Sequence, residues 1–426
     1  MIDLRSATAA QAQALGVAGD LPTVAPSTAA ALGEVLAAAS ASGQRVVPWG
    51  GGTEQRLGAP PTRCDLLLLT TELRGVDFYT PEDLTLGVAA GTTLAEIDGL
   101  LRARGQFLPL ELPAPDSATI GGVVATAASP VRRLRYGGVR DMVIGVQVAQ
   151  ADGTLCKAGG RVVKNVAGYD LCKLYSGSLG TLGVLVGVNL KVQPLPRRQA
   201  VIEATFDLPA EAFGVASRIA ATGLGYGAVV VGGTPGGGCL LTALAEGFAG
   251  AVAEQQAFVT SAVVAAGGRI EVRQGREAAD ATVRALADWR LGQTADPASE
   301  SLLLRCSLSP AKLRDAPGAL ATALAPLAST LDWQADAALG IIWIRMPGDV
   351  ASRPEDMGAT IAAISTARLW ARSAGGHLVI ARGPASLRRA IDPWGAPGDG
   401  EKLARALKQQ LDPDGILNPG RFAYGI

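Results

Sequence analysis

Val46-Val47-Pro48-Trp49-Gly50-Gly51-Gly52-Thr53-Glu54 is a short apolar strand pattern running directly into three consecutive glycines and a hydroxyl residue. Glycines adopt φ above zero without a steric cost and leave consecutive N–H groups uncovered, so this turn can form a backbone nest for a diphosphate, with Thr53 as an added donor. A plain glycine-rich turn between two strands accounts for the same residues. The commoner phosphate cradles do not fit. No Lys follows the glycines as a Walker loop requires, and no GxGxxG opens a helix with an acidic residue about 20 positions on. Gln55 and the residues after it, Arg-Leu-Gly-Ala-Pro-Pro, read as loop.

Two further segments share this texture. Pro115-Asp116-Ser117-Ala118-Thr119-Ile120-Gly121-Gly122-Val123-Val124-Ala125-Thr126 is a polar turn into paired glycines. Its small residues Gly121, Gly122, Ala125 and Thr126 allow backbone to lie close against a ring system or a diphosphate. The third segment runs from Arg161 through Lys164-Asn165 and Gly168-Tyr169-Asp170 to Ser176-Gly177-Ser178-Leu179-Gly180-Thr181-Leu182-Gly183-Val184.

The composition sets the bounds. At 426 residues the chain is long for one core and comfortable for two. With 48% hydrophobic but only 4% aromatic residues, the cores are built from Ala, Val and Leu. Lys plus Arg equals Asp plus Glu at 38 each, so no global field attracts nucleic acid or an anionic membrane. The five cysteines, Cys64, Cys156, Cys172, Cys239 and Cys306, show no metal-binding spacing and read as reduced thiols of a cytoplasmic protein. The N-terminus lacks the basic start and apolar run of a signal peptide. Residues 219–245 carry no charge, but Pro235 and eight glycines interrupt them, so two strands around a turn explain them better than a membrane span.

The texture changes near residue 197. Before it, short apolar runs are punctuated by glycines, with one clear early helix over 28–42, so this half reads as many short strands and few helices. After it, strand and helix alternate: strand 201–206, helix 209–222, strands 226–231 and 239–245, helix 252–266, strand 269–273. The same β-α-β-β-α-β order returns as strand 302–308, helix 311–327, strands 331–335 and 341–346, helix 354–374 and strand 377–382. The expected fold class is α+β, with this part forming a cap of two ferredoxin-like halves. Domain bounds follow at 1–196, 197–399 and a tail, 400–426, that returns to the first domain. The tail opens with an amphipathic helix over 401–410 and continues as LDPDGILNPGRF.

PWGGGT (48–53), PDSATIGGVVAT (115–126), RYGGVRDMVIG (135–145), KNVAGYDLCKLYSGSLGTLGV (164–184) and LDPDGILNPGR (411–421) occur in the order found in the FAD-binding family of glycolate oxidase and D-lactate dehydrogenase, within the vanillyl-alcohol-oxidase or PCMH-type superfamily. The chain resembles most the E-subunit branch of bacterial glycolate oxidases, strongly over 25–196 and again over 400–422. The resemblance implies a two-lobed PCMH-type FAD-binding domain and non-covalent FAD, since neither the PWGGGT loop nor its neighbours offer a His or a matching Cys for attachment. It places Pro48, Trp49, Gly50, Gly51, Gly52, Thr53, Glu54 and Gln55, with Thr119, Gly121 and Gly122, around the diphosphate and ribityl chain, Leu182, Gly183 and Val184 near the adenine, and Asn418 near the flavin ring. Pro115, Asp116, Ala125, Thr126, Arg140 and Gly180 are further candidates for holding the cofactor. Asn418 before Pro419 also fits a simple turn cap.

Members that oxidise 2-hydroxy acids carry an HxGDGNxH stretch, whereas this chain has a single histidine, so two-histidine metal chemistry is excluded. Leu179 replaces the acidic residue of the family's GSEGTLG pattern. The sole histidine, His377, opens a strand pattern. Imidazole titrates near neutrality and can act as a base beside a flavin, and a half-buried strand histidine without a chemical role fits equally. Arg382 is the matching candidate for a substrate carboxylate. The resemblance therefore implies a subunit that relays electrons from hydroxy-acid oxidation between a sister catalytic flavoprotein and an iron-sulfur subunit, attached to the inner membrane only through partners. The alternatives are a self-sufficient dehydrogenase of a small 2-hydroxy acid such as glycolate, using His377 and Arg382, and a flavin-free structural subunit.

Overall fold

The computed structural model describes residues 5–17, 21–162, 168–233, 237–291, 301–346, 356–396 and 398–426. The chain forms two compact units. One comprises Met1–Pro130, Gly137–Leu195 and Ala396–Ile426, and the other Val131–Tyr136 and Pro196–Gly395. Six residues inside the first half of the sequence, Val131–Tyr136, thus pack with the second unit. Residues 163–167 of the third motif and the first two residues of the helix expected at 354 lie outside the described residues. No helix among the described residues is long and apolar enough to cross a membrane.

Among the described residues the first unit holds two larger sheets and a two-stranded pair, Gln193–Pro194 with Gln106–Phe107. Strands Pro22–Val24, Leu66–Leu69 and Val46–Trp49 pair in parallel, and Arg5–Ser6 adds antiparallel to Pro22–Val24. Helix Ala29–Ser42 carries the chain from Pro22–Val24 to Val46–Trp49, which lie on opposite sides of Leu66–Leu69 in this sheet. Its start is set by Thr28, whose hydroxyl accepts from Ala31 N at 3.1 Å, and its end by Gly43 at φ +68°. It buries Leu32, Val35, Leu36 and Ala39, a run at helical spacing. The second sheet is antiparallel, in the order Val76–Thr80, Thr85–Ala89, Val184–Lys191, Val143–Ala149, Leu155–Gly159.

Among the described residues of this unit, helices Ala9–Leu15, Leu94–Arg102, Ile120–Thr126, Val139–Met142 and Leu171–Tyr175 go beyond those the sequence shows. Leu94–Arg102 starts in a capping box: Thr93 Oγ1 accepts from Glu96 N, and Thr93 N donates to Glu96 Oε2 at 2.8 Å. Ile120–Thr126 contains two glycines and two valines and has poor intrinsic propensity. Burial of Ile120, Gly121, Val123 and Val124 overrides that preference.

The second unit is an eight-stranded antiparallel sheet in the order Arg269–Gln274, Arg198–Phe206, Cys239–Gly247, Ala228–Gly233, Asp332–Asp336, Ile341–Met346, Leu302–Ser307, His377–Arg382. Numbered within each β-α-β-β-α-β repeat, the strands run 4-1-3-2 and then 2-3-1-4. Two ferredoxin-like halves therefore meet edge to edge through Val230, Val231 and Gly232 opposite Asp336, Ala335 and Gln334. Helices Pro209–Ala221, Ala249–Ala265, Ala316–Leu324 and Met357–Ser373 cover one face, burying alternate residues such as Ile202, Leu241, Leu304, Ile342 and Ile344. Each such side chain contributes about 1.5–3 kcal/mol. The uncharged stretch 219–245 forms strands Ala228–Gly233 and Cys239–Gly247, as expected. Helix Arg276–Leu291, absent from the sequence reading, crosses the other face and packs Ala279, Val283 and Ala287 on Val201, Ala228, Val230 and Leu244.

Candidate functional site

In the first unit, strand Val46–Trp49 delivers the glycine turn into an open cleft. Its walls are Pro48–Gln55, Thr70, the 119–126 segment, Leu179, Gly180, Val184, Leu185, Asn418 and Arg421. The glycines are required by close approach. A Cβ on Gly51 would stand 1.6 Å from Ser117 O, and one on Gly50 would stand 2.2 Å from Thr119 Oγ1. Gly52 adopts φ +74° and packs on the Trp49 indole. The N–H groups of Gly50, Gly51 and Gly52 meet no acceptor among the described residues, the arrangement expected of an anion nest.

The opposite wall is held by helix Leu94–Arg102. Leu94 N and Ala95 N donate to Ala118 O and Pro115 O, while Ile120 N donates to Thr92 O. Thr119 stands at the N-cap of Ile120–Thr126 but its hydroxyl does not cap the helix. Thr119 Oγ1 is buried without a partner among the described residues. A buried polar atom left unmade costs about 1–3 kcal/mol, so its persistence points to a ligand atom.

The C-terminal tail supplies the third wall. Asp412 is buried and accepts from Ile416 N and Leu417 N, each at 2.8 Å. Lys408 Nζ bonds Asp412 Oδ2 at 2.6 Å and donates to Thr181 O at 2.7 Å and Leu417 O at 3.0 Å. Burial lowers the Lys408 pKa, with Asp412 opposing the shift. The tail thereby adds Leu417 beside Val46, and Asn418 reaches the cleft with Oδ1 buried and unpartnered.

Of the sequence candidates, Pro48 to Gln55, Thr119, Gly121, Gly122, Ala125, Thr126, Gly180, Val184 and Asn418 line this one cleft. Pro115, Asp116, Leu182 and Gly183 do not line it. Arg140 borders a separate hollow with Asp141, Asp170, Lys173 and Lys191. Thr70, Leu179, Leu185 and Arg421 line the cleft without having been singled out as cofactor contacts. Arg421 stood in the quoted NPGR motif, so its signal was present.

In the second unit, His377 and Arg382 occupy opposite ends of one strand, roughly 16 Å apart at 3.3 Å per residue. His377 is exposed and pairs with Ser307, while Val379 pairs with Arg305. Strand alternation thus puts His377 on the sheet face of Arg305.

That face carries a cluster that sequence reasoning missed. The guanidinium groups of Arg290 and Arg305 lie 5.5 and 5.8 Å from the centre of the Trp343 ring. Arg290 is 7% exposed and bonds Asp336 Oδ1 through Nη2 at 2.5 Å, leaving Nε and Nη1 without partners among the described residues. Arg305 Nε and Gln334 Oε1 are likewise buried and unpartnered. Burial, then the charge of Arg133, lowers the Arg305 pKa, with Asp336 opposing. Elsewhere on the same face Arg132 is also buried, but Glu246 and Asp280 neutralise it at 3.1 and 3.6 Å. Two cations against one carboxylate, with donors left over, suit an anionic ligand. Nothing in the spacing of Trp289-Arg290 and Arg305 links them before the fold is known.

Comparison with known proteins agrees with the cleft. Residues 22–159 match the family model described as the FAD binding domain. The chain is 44% identical over 125 residues to glycolate oxidase subunit GlcE of Escherichia coli (strain K12), covering 29% of this chain and 36% of that protein. It is 32% identical over 184 residues to glycolate oxidase subunit GlcD of Bacillus subtilis (strain 168), covering 43% and 39%. It is 31% identical over 197 residues to D-lactate dehydrogenase of Archaeoglobus fulgidus, covering 46% and 44%. The matched stretches span less than half the length of these curated relatives. Among solved structures, p-cresol methylhydroxylase with substrate bound superposes with a TM-score of 0.74 at 16% identity, covering 94% of this chain and 88% of that one. Alkyldihydroxyacetonephosphate synthase gives 0.71 at 16%, covering 95% and 78%. The fold is thus that of the PCMH-type flavoproteins, and the cofactor of residues 22–159 is FAD.

Proposed function

We propose that the chain is an FAD-dependent oxidoreductase acting in 2-hydroxy-acid oxidation, as the FAD-binding subunit of a glycolate-oxidase-like complex with a sister catalytic flavoprotein and an iron-sulfur subunit. The observation that carries the reading is the cleft, where an uncovered glycine turn faces two orphaned buried groups, Thr119 Oγ1 and Asn418 Oδ1. The nest suits the diphosphate, while the small residues Gly121, Gly122 and Ala125 leave room for the rest of the dinucleotide. The likeness to GlcE supports the subunit role, and the likeness to GlcD and D-lactate dehydrogenase supports a hydroxy-acid substrate.

FAD supplies two-electron acceptance when bound, matching the hydride and proton that a 2-hydroxy acid loses on becoming a 2-oxo acid. The protein's part is to hold and orient. The purified chain is expected to be yellow, to release one FAD per chain on denaturation without covalent residue, and to co-purify with a flavoprotein and an iron-sulfur protein when expressed with them. Colourless protein that takes up no FAD on reconstitution overturns the reading.

A second reading, a dehydrogenase complete in this chain, is favoured by the Arg290–Arg305 cluster. In it the two guanidinium groups bind the substrate carboxylate, and His377, on the same sheet face, accepts the hydroxyl proton. Anaerobic mixing with glycolate or D-lactate then bleaches the flavin without partners. Flavin that stays oxidised rejects this version and leaves the complex.

A further inference from the structure

The tail arginine is more than a wall of the cleft. Arg421 is 3% exposed, and its Nη1 donates to Gln55 O at 3.0 Å while Nη2 donates to Gln55 Oε1 at 2.9 Å. The Gln55 amide in turn donates from Nε2 to Pro48 O at 3.3 Å. Pro48 and Gln55 are the two ends of the glycine turn, so the Gln55 side chain closes the turn into a ring, and Arg421 fixes Gln55 in the rotamer that closes it.

The backbone around Arg421 is equally tied down. Ala59 N donates to Arg421 O at 3.2 Å, Thr62 N donates to Pro419 O at 2.9 Å, and Gly420 at φ +82° packs against Thr62. Gly50, Gly51 and Gly52 have no side chains to hold them, and their uncovered N–H groups bind an anion well only if they already converge. A guanidinium stays charged at every relevant pH and its planar fork matches the two oxygens of one glutamine.

We infer that Arg421 is a positioning residue for the cofactor: through Gln55 it locks the 48–55 turn into its diphosphate-binding shape, making FAD retention depend on the C-terminal segment. The inference rests on the FAD reading above and adds a residue and a route to it.

The test compares wild type, Arg421→Lys, Gln55→Ala and the double variant as full-length apo-protein. Each is titrated with FAD by fluorescence and with ADP by calorimetry, alongside apo-protein melting. Arg421→Lys keeps the charge but loses the fork, and Gln55→Ala removes the neutral link and leaves the arginine in place. Each single variant is expected to weaken FAD and ADP by about tenfold or more, with the apo-protein still folded at the assay temperature, and the double variant to be no weaker than the worse single one. Wild-type affinity in Gln55→Ala, additive losses in the double variant, or weakening of FAD with ADP unchanged overturns the inference. If Arg421→Lys does not fold, Gln55→Ala decides alone by the FAD and ADP comparison. Failure of wild type to bind FAD rejects instead the cofactor reading on which the inference rests.

Discussion

Asn418 Nδ2 donates to the main-chain oxygen of Leu179 at 2.6 Å across 239 positions of sequence, and both residues are non-glycines with positive φ, 45° and 55°. Positive φ costs an ordinary L-residue roughly 1–2 kcal/mol, and asparagine tolerates it better than most. The bond ties the tail to the wall of the cleft and presents Asn418 Oδ1 inward.

Substitution at 418 separates backbone from amide. Asn418→Gly relieves the strain of the left-handed conformation but loses the bond, whereas Asn418→Ala keeps the strain and loses the bond. Thermal melting should show Asn418→Ala destabilised by about 1 kcal/mol more than Asn418→Gly. Both should hold FAD about tenfold more weakly. Wild-type FAD affinity in Asn418→Gly would show that the amide makes no cofactor contact.

Gly51→Ala meets Ser117 O at 1.6 Å, backbone against backbone, with no flexible side chain to give way. The two walls must separate, which destabilises the first unit by about 1–3 kcal/mol and strips the protein of FAD. The check is the flavin-to-protein absorbance ratio after gel filtration; a fully loaded, normally melting variant contradicts the placement of these walls.

Arg305→Met tests the cluster beside Trp343. Removing a buried, incompletely paired cation is expected to leave stability unchanged or raise it. If the cluster binds a substrate carboxylate, the KM for glycolate or D-lactate rises about tenfold or more while FAD content stays constant. An unchanged KM with unchanged kcat discards the cluster as a substrate site.

The capping box beneath the 115–120 wall introduces a pH dependence. The Thr93 N–H, and then the Thr93 hydroxyl and Arg74, hold the Glu96 carboxyl below its ordinary 4.5, against partial desolvation. A lowered pKa stabilises the fold fully above the unfolded value, and this stabilisation is lost as pH falls through the folded value, so the loss is expected below about pH 4.5. Glu96→Gln should flatten this part of the stability profile, at a modest cost because the side chain is half exposed. Melting curves between pH 3 and 6 that superpose for the two proteins would remove Glu96 from the acid transition (about 1 kcal/mol is the scale of a cap).

The glycine segments at 50–52 and 121–122 were legible because a backbone nest needs no partner chemistry beyond its own residues. The double β-α-β-β-α-β order of the second unit was legible because strand alternation and helix spacing are local patterns. Helix Arg276–Leu291 was not, since its buried stripe is built from Ala279, Val283 and Ala287, which mark a face only weakly. Ile120–Thr126 was not, because its own residues disfavour the helix they form.

What the amino-acid sequence determined by itself was the α+β class, the repeat in the second unit and the run of motifs for a dinucleotide, all of them properties of neighbouring residues. What the tertiary structure decided was which distant groups converge: Arg421 on Gln55, Asn418 on Leu179, Lys408 on Thr181, and Arg290 with Arg305 about one tryptophan. Those pairings depend on strand order and on where a tail docks. Such placements follow from burying whole faces together and leave no spacing in the chain from which they could be read.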